Sequence, residues 1–285
     1  MKRTIHIMSR EPQYIVNTDV TFAQVSDWFG HMTRDLKLDI VYPEQGDKKS
    51  PCIVWICGGA WKQMRTSAHL AYLCELARRG FVTASVEYRT SNEITFPGQL
   101  EDVKAAIRYL RAHANRYGID TEQFGVMGES AGAHLAAMAA CTGDVQEYDK
   151  GEYLSYSSSV QAACCWYLPA DLGRLIDKTP KECQAAAPEA LLIGENPAQD
   201  VEKTRVSSPC SWVNPQTPPF LLLHGTDDLT VPFSQSEQMY HALECAGADA
   251  ELIAIEGAHH AGIEFFQKEV WDIIGEFFEK KLIKK

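Results

Sequence analysis

The sequence is short of the features that mark several common classes of protein. No apolar run approaches the roughly 18 residues of a membrane-crossing helix, so no membrane contact is expected. No cluster of Lys or Arg marks a basic face. The 27 Lys+Arg are outnumbered by 38 Asp+Glu, for a net charge of −11. That balance speaks against a nucleic-acid partner and disfavours polyanionic substrates. No C-x-x-C pair suggests zinc. The nine cysteines (Cys52, Cys57, Cys74, Cys141, Cys164, Cys165, Cys183, Cys210 and Cys245) are odd in number and include one adjacent pair. They do not resemble a disulfide framework, and reduced, buried thiols of a cytoplasmic protein are expected. The segment Met1 to Pro12 has basic residues but no apolar stretch of the signal-peptide kind, which again points to the cytoplasm. Repeats, low-complexity tracts and flexible linkers are lacking too, so a single domain over 1–285 is expected.

What the chain does have is ordinary globular usage, with 45% hydrophobic and 23% charged residues in 285. That is enough for a sizeable core. Apolar runs at Cys52–Cys57, Phe81–Tyr88, Phe124–Met127, Val160–Tyr167, Phe220–His224 and Glu251–Ile255 read as strands. An alternating run, Arg34–Pro43, reads as an early antiparallel strand. Helical patterns lie between them, near Ser67–Arg79, Pro97–Tyr117, Ala131–Cys141, Ser234–Ala246 and Glu264–Lys280. Continuous apolar strands separated by helices predict an α/β fold: a mostly parallel sheet of about eight strands with helices on both faces. Such sheets bind ligands at the carboxyl ends of their strands. The less regular segment 171–214 reads as a cap or insertion over those ends.

The informative motifs fall just after strands. Gly128-Glu129-Ser130-Ala131-Gly132 follows Gln123–Met127 and precedes an Ala-rich helix. A strand that reverses into a helix this sharply crowds its central residue, and glycines two positions either side relieve the crowding. G-x-S-x-G in this setting is the nucleophile elbow of α/β-hydrolases, with Ser130 held out where helix amides favour negative charge. A serine hydroxyl needs a base, and the base a carboxylate, in the chain order Ser, Asp/Glu, His. The strand Phe220–Leu223 leads into His224-Gly225-Thr226-Asp227-Asp228-Leu229-Thr230-Val231-Pro232. This resembles the HGxxDxxVP segment of esterases and peptidases, which makes Asp228 the acid and Asp227 a variable position. The last strand leads into Gly257-Ala258-His259-His260-Ala261. Aligned without gaps on Gly-Ala-x-His, the base is His260, and a one-residue slip would make it His259.

Upstream, Cys57-Gly58-Gly59-Ala60-Trp61 resembles an HGGG-type loop, with Cys57 where the family has histidine. The amides of Gly59, Ala60 and Ala131 are the expected oxyanion donors. Trp61 is open to core packing or to lining the acyl or alcohol pocket. It and Glu129 are the candidate substrate contacts, and the aromatic residues Trp166, Tyr167 and Trp212 are further candidates for stacking on a ring. Val86-Glu87-Tyr88-Arg89, Phe96–Ala106 and Ser130-Ala131-Gly132-Ala133-His134-Leu135-Ala136 extend the likeness. Together these stretches resemble the esterase/lipase group of α/β-hydrolases, and within it the feruloyl and acetyl-xylan esterase (BD-FAE) type. The resemblance implies a serine carboxylic-ester hydrolase working through an acyl-enzyme, with no metal and no organic cofactor. Its substrates would be short acyl or aryl esters, including acetylated or feruloylated plant-polysaccharide fragments. A small-molecule or oligosaccharide ester is the expected partner, and an oligomer is compatible with this reading. An arylformamidase of the kynurenine-formamidase kind is the alternative, and a peptidase the lower-ranked one. Arg89, Asp102 and His134 are read as buried polar groups paired beneath the elbow.

Overall fold

A computed structural model describes residues 1–9, 11–44 and 48–283. Arg10, within the N-terminal segment considered above, lies outside the described residues. The strands are β1 (Tyr14–Asp27), β2 (Met32–Pro43), β3 (Ser50–Ile56), β4 (Val82–Val86), β5 (Ile119–Glu129), β6 (Ala162–Trp166), β7 (Phe220–Gly225) and β8 (Ala250–Ile255). They form one sheet in the order β1-β2-β4-β3-β5-β6-β7-β8. β1 and β2 pair antiparallel, as do β2 and β4, and every later pairing is parallel. This is the α/β-hydrolase arrangement.

Side chains alternate across a strand, and each central strand feeds two cores. In β3, Val54 and Ile56 join the layer that holds Val126 and Leu222. Their neighbours Ile53 and Trp55 join the layer that holds Met127, Leu221 and Leu223. Helices cover both layers: α1 (Leu70–Arg78), α2 (Gly98–Ala112), α3 (Ala114–Tyr117), α4 (Ala131–Cys141), α5 (Leu172–Ile176), α6 (Pro188–Ile193), α7 (Val201–Val206), α8 (Ser234–Ala246) and α9 (Lys268–Leu282). Every residue of α4 is buried. Its alanines and glycine leave no bulk between helix and sheet, so α4 packs directly against β5 and β6. α9 is amphipathic instead: Val270, Ile274 and Phe278 recur every four residues on its buried face.

Three sequence expectations change. β1 was not foreseen, because it is an edge strand in which only Phe22 is buried, so its apolar pattern is weak. The helix read over Pro97–Tyr117 is two, interrupted at His113 and ended by Gly118 in the left-handed conformation. The last helix begins at Lys268, and Glu264 lies in a 3-10 turn before it. Segment 171–214 contains α5, α6 and α7, with the Asp171 and Asp200 side chains accepting from amides of the first turns of α5 and α7. Among the described residues no cysteine is disulfide-bonded. Cys52, Cys57, Cys141, Cys164 and Cys165 are buried as expected, but Cys183 and Cys245 are exposed. No helix among the described residues is long and apolar enough to cross a membrane.

Candidate active site

Ser130 occupies the single position between β5 and α4, with φ 51° and ψ −123°. A serine in that sparsely populated region is strained and is held only by its surroundings. Its amide donates to the Trp166 carbonyl (2.9 Å), and its carbonyl accepts from the His134 amide (3.0 Å). The glycine two residues on is a packing necessity, since a Cβ at Gly132 would sit 2.0 Å from the Ile56 carbonyl oxygen. The turn therefore lies hard against the end of β3, beside the loop that starts at Cys57.

From the other side of the sheet, loops after β7 and β8 deliver two partners. His260 Nε2 accepts from the Ser130 hydroxyl (3.0 Å), and its Nδ1 donates to Asp228 Oδ2 (2.7 Å). The second Asp228 oxygen accepts from the amides of Thr230 (2.8 Å) and Val231 (2.9 Å). Burial would raise this carboxyl, but hydrogen bonds from His224, His260 and the Val231 amide outweigh it and hold it well below the usual range. His224, buried, donates to the Val231 carbonyl (2.8 Å) and accepts from Ser236 (2.7 Å), which steadies the turn carrying Asp228.

The neighbouring residues at the two ambiguous positions make different contacts. His259 is exposed, donates from Nδ1 to the Asp227 carbonyl at 2.9 Å, and does not line the cavity at Ser130. Asp227 is exposed and accepts from Thr226 (3.1 Å). His260 and Asp228 are the pair brought to the serine.

The glycine loop after β3 meets Ser130 in a cavity of about 600 Å³ whose lining includes Gly59, Ala60, Ser130, Tyr167 and His260. Gly59 has φ +124°, and a Cβ there would lie 2.1 Å from the Gln63 carbonyl. Ala60 and Trp61 are also left-handed, with φ 54° and 56°. This conformation turns the Gly59 carbonyl inward to accept from the Lys62 and Gln63 amides (3.0 and 3.2 Å). Ala131, the first residue of α4, carries one of the helix's unpaired amides directly after the serine. Lys62, Gln63, Asn92 and Thr230 add polar groups to the cavity wall. No lining residue comes from 171–214, so the segment read as a cap does not form this wall.

The two candidate substrate contacts fare differently. Trp61 is a correction: it is 2% exposed and absent from the cavity wall. Its indole N–H donates to His134 Nδ1 (3.2 Å), and His134 Nε2 donates to the Ser207 carbonyl (2.7 Å). The left-handed backbone sends this large ring into the core behind the loop. Trp166 is likewise core, and Trp212 donates to the Val206 carbonyl. Glu129 does reach the cavity wall, but its carboxylate is occupied. His69 donates to Oε1 (2.9 Å) and the Tyr167 hydroxyl to Oε2 (2.5 Å). Burial pushes this carboxyl up, while the bonds from His69 and Tyr167 pull it further down, so it sits below its ordinary value. Arg89 and Asp102 form the expected bidentate pair (2.8 to 3.1 Å). His134 pairs with Trp61 and Ser207 instead.

No motif or spacing in the sequence points to His69, and Tyr167 reads from sequence only as a ring for stacking. Tyr167 lies with its ring centroid 4.5 Å from that of His260 while its hydroxyl reaches Glu129. No spacing signal links His69 to Glu129, because the pair is made by tertiary packing across 60 residues.

Residues 38–243 match the BD-FAE family model. Esterase LipQ of Mycobacterium tuberculosis is 32% identical over 219 residues, covering 75% of this chain and 51% of that protein. The chain thus spans about half the length of the curated relatives it matches. A solved structure described as a truncated carbohydrate esterase from gut microbiota superposes with a TM-score of 0.84 at 31% identity, covering 97% of this chain and 99% of that one. Thermogutta terrifontis esterase 2, in a structure phosphorylated by paraoxon, gives a TM-score of 0.74 at 26% identity, covering 95% and 96%. Fold, elbow, loop and matched span agree: this chain belongs to the BD-FAE family of α/β-hydrolases.

Proposed function

We propose that the protein is a serine carboxylic-ester hydrolase that works through an acyl-enzyme. The observation that carries the reading is the unbroken relay Ser130–His260–Asp228, at 3.0 and 2.7 Å, opening on one cavity. Ser130 Oγ attacks the ester carbonyl while His260 Nε2 takes its proton. Asp228 fixes the tautomer that leaves Nε2 free to accept and stabilises the imidazolium that results. The amides of Gly59, Ala60 and Ala131 receive the developing oxyanion. His260 then gives its proton to the leaving alcohol, and water releases the acid by the same route. Phosphorylation of a relative by paraoxon supports a nucleophile of this kind.

The substrates we propose are short acyl or aryl esters of hydroxyl-rich alcohols, with acetylated or feruloylated oligosaccharides as the leading class. Lys62, Gln63, Asn92 and Thr230 offer donors and acceptors suited to sugar hydroxyls, and the likeness to a carbohydrate esterase supports the class. The test is a panel of acetylated xylo-oligosaccharides, methyl ferulate, p-nitrophenyl acetate and N-formylkynurenine, run beside fluorophosphonate labelling of wild type and Ser130→Ala. Labelling and ester turnover that vanish together in the variant support the reading. Preference for N-formylkynurenine would make it a formamidase, and a fully active Ser130→Ala would overturn the mechanism.

A further inference from the structure

Beside the Ser130 cavity, and sharing Gly58, Gly59, Gln63 and Glu129 with it, a second cavity of about 610 Å³ is also lined by Cys57, His69, Met64 and Arg65. Three segments converge there: the end of β3, the residue before α1 and the end of β5. We propose that Cys57 Sγ, His69 Nε2 and Glu129 Oε1 form a binding site for a thiophilic divalent cation of the zinc class, with water from the cavity as the fourth ligand.

The geometry is close to what such an ion requires. Zinc bonds of about 2.3 Å to sulfur and about 2.0–2.2 Å to nitrogen and oxygen put tetrahedral ligand atoms about 3.4–3.6 Å apart. Here Sγ lies 3.7 Å from Oε1, and Nε2 lies 2.9 Å from it. All three atoms lie within 4.8 Å of one another. Bringing the widest pair from no more than 4.8 Å to about 3.5 Å completes the set. The His69 ring is already aimed: it stacks on Phe266 (centroids 5.2 Å) and meets Trp55 edge-on (5.4 Å).

The charges also close. On binding, the Cys57 thiol releases its proton to solvent, and sulfur donates the electron pair to the ion. The His69 proton moves from Nε2 to Nδ1, freeing the Nε2 lone pair. Thiolate, carboxylate and a divalent cation sum to zero, which suits a half-buried site. Glu87 and Glu93 also line this cavity but are paired with Arg34, whereas Glu129 Oε1 is held by His69, itself a ligand of the set, so binding exchanges that hydrogen bond for two bonds to the ion.

The test uses the full chain with the exposed Cys183 and Cys245 changed to serine. Zn²⁺ is followed by calorimetry in buffers of differing ionisation enthalpy, and Co²⁺ by absorption. The expected result is one ion per chain, release of one proton, and a thiolate-to-cobalt charge-transfer band. Cys57→Ser should abolish the band, and His69→Phe, which keeps the ring packing, should weaken binding at least tenfold. Absence of binding or of the band in the parent protein overturns the proposal without any variant. Unchanged affinity in His69→Phe overturns it as well. None of these readouts involves ester turnover, so the outcome stands apart from the reading of Ser130.

Discussion

The ring of Tyr167 packs with its centroid 4.5 Å from that of His260, while its hydroxyl donates to Glu129 at 2.5 Å. One side chain therefore touches both His260 and the residue before Ser130. Tyr167→Phe keeps the ring and removes the hydroxyl. A hydrogen bond to a charged group is worth about 1.5–3 kcal/mol. We expect turnover to fall by about tenfold or more with KM little changed, measured on p-nitrophenyl acetate.

The adjacent histidines separate cleanly. His260→Ala removes the acceptor of the Ser130 proton, and losses of about 10⁴ to 10⁶ in turnover are usual when such a relay is broken. His259→Ala removes only a contact to a backbone carbonyl and should retain most activity. Side-by-side kinetics decide it: an inactive His259→Ala beside an active His260→Ala would reverse the assignment.

Asp228→Asn tests the tautomer. The amide can donate to His260 Nδ1, which then leaves Nε2 protonated and unable to accept from Ser130. A drop of about 10⁴ in turnover is expected, with fluorophosphonate labelling slowed in parallel. The fold should survive, which near-ultraviolet circular dichroism checks.

His134 predicts how stability depends on pH. Fully buried and bonded through both ring nitrogens, it is pushed by desolvation from 6.5 down to about 4. The unfolded chain therefore binds a proton that the folded protein refuses between those values. Stability is full above about pH 6.5 and falls as pH drops through that window, by about 3 kcal/mol at about 1.4 kcal/mol per unit. Thermal unfolding at pH 7 and pH 4.5 should show the loss, and His134→Gln should flatten it. Asp228, held low, adds a further loss only below about pH 4.

Gly132→Ala addresses the elbow. Its Cβ would stand 2.0 Å from the Ile56 oxygen, and neither backbone can yield without moving β3 or α4. We expect a destabilisation of about 3 kcal/mol or more, or failure to fold, read by urea denaturation.

The parts of this protein written in local sequence were legible without coordinates. Six apolar strand runs, the alternating strand before them, and the motifs at Ser130, Asp228 and His260 each depend on residues a few positions apart, so periodicity and spacing expose them. β1 escaped because an edge strand buries one face poorly. The choice between His259 and His260 needed the path of the loop after β8. Trp61 looked like a pocket residue, yet two consecutive left-handed residues, Ala60 and Trp61, direct its ring into the core. The convergence of Cys57, His69, Glu129 and Tyr167 lay entirely beyond local reading. Those residues come from four separate segments, and only the packing of the sheet with α1 brings them together. Local pattern carries most of the sheet, its helices and the order of Ser130, Asp228 and His260 along the chain. Which side chains surround those three depends on packing between distant segments, which no local pattern encodes.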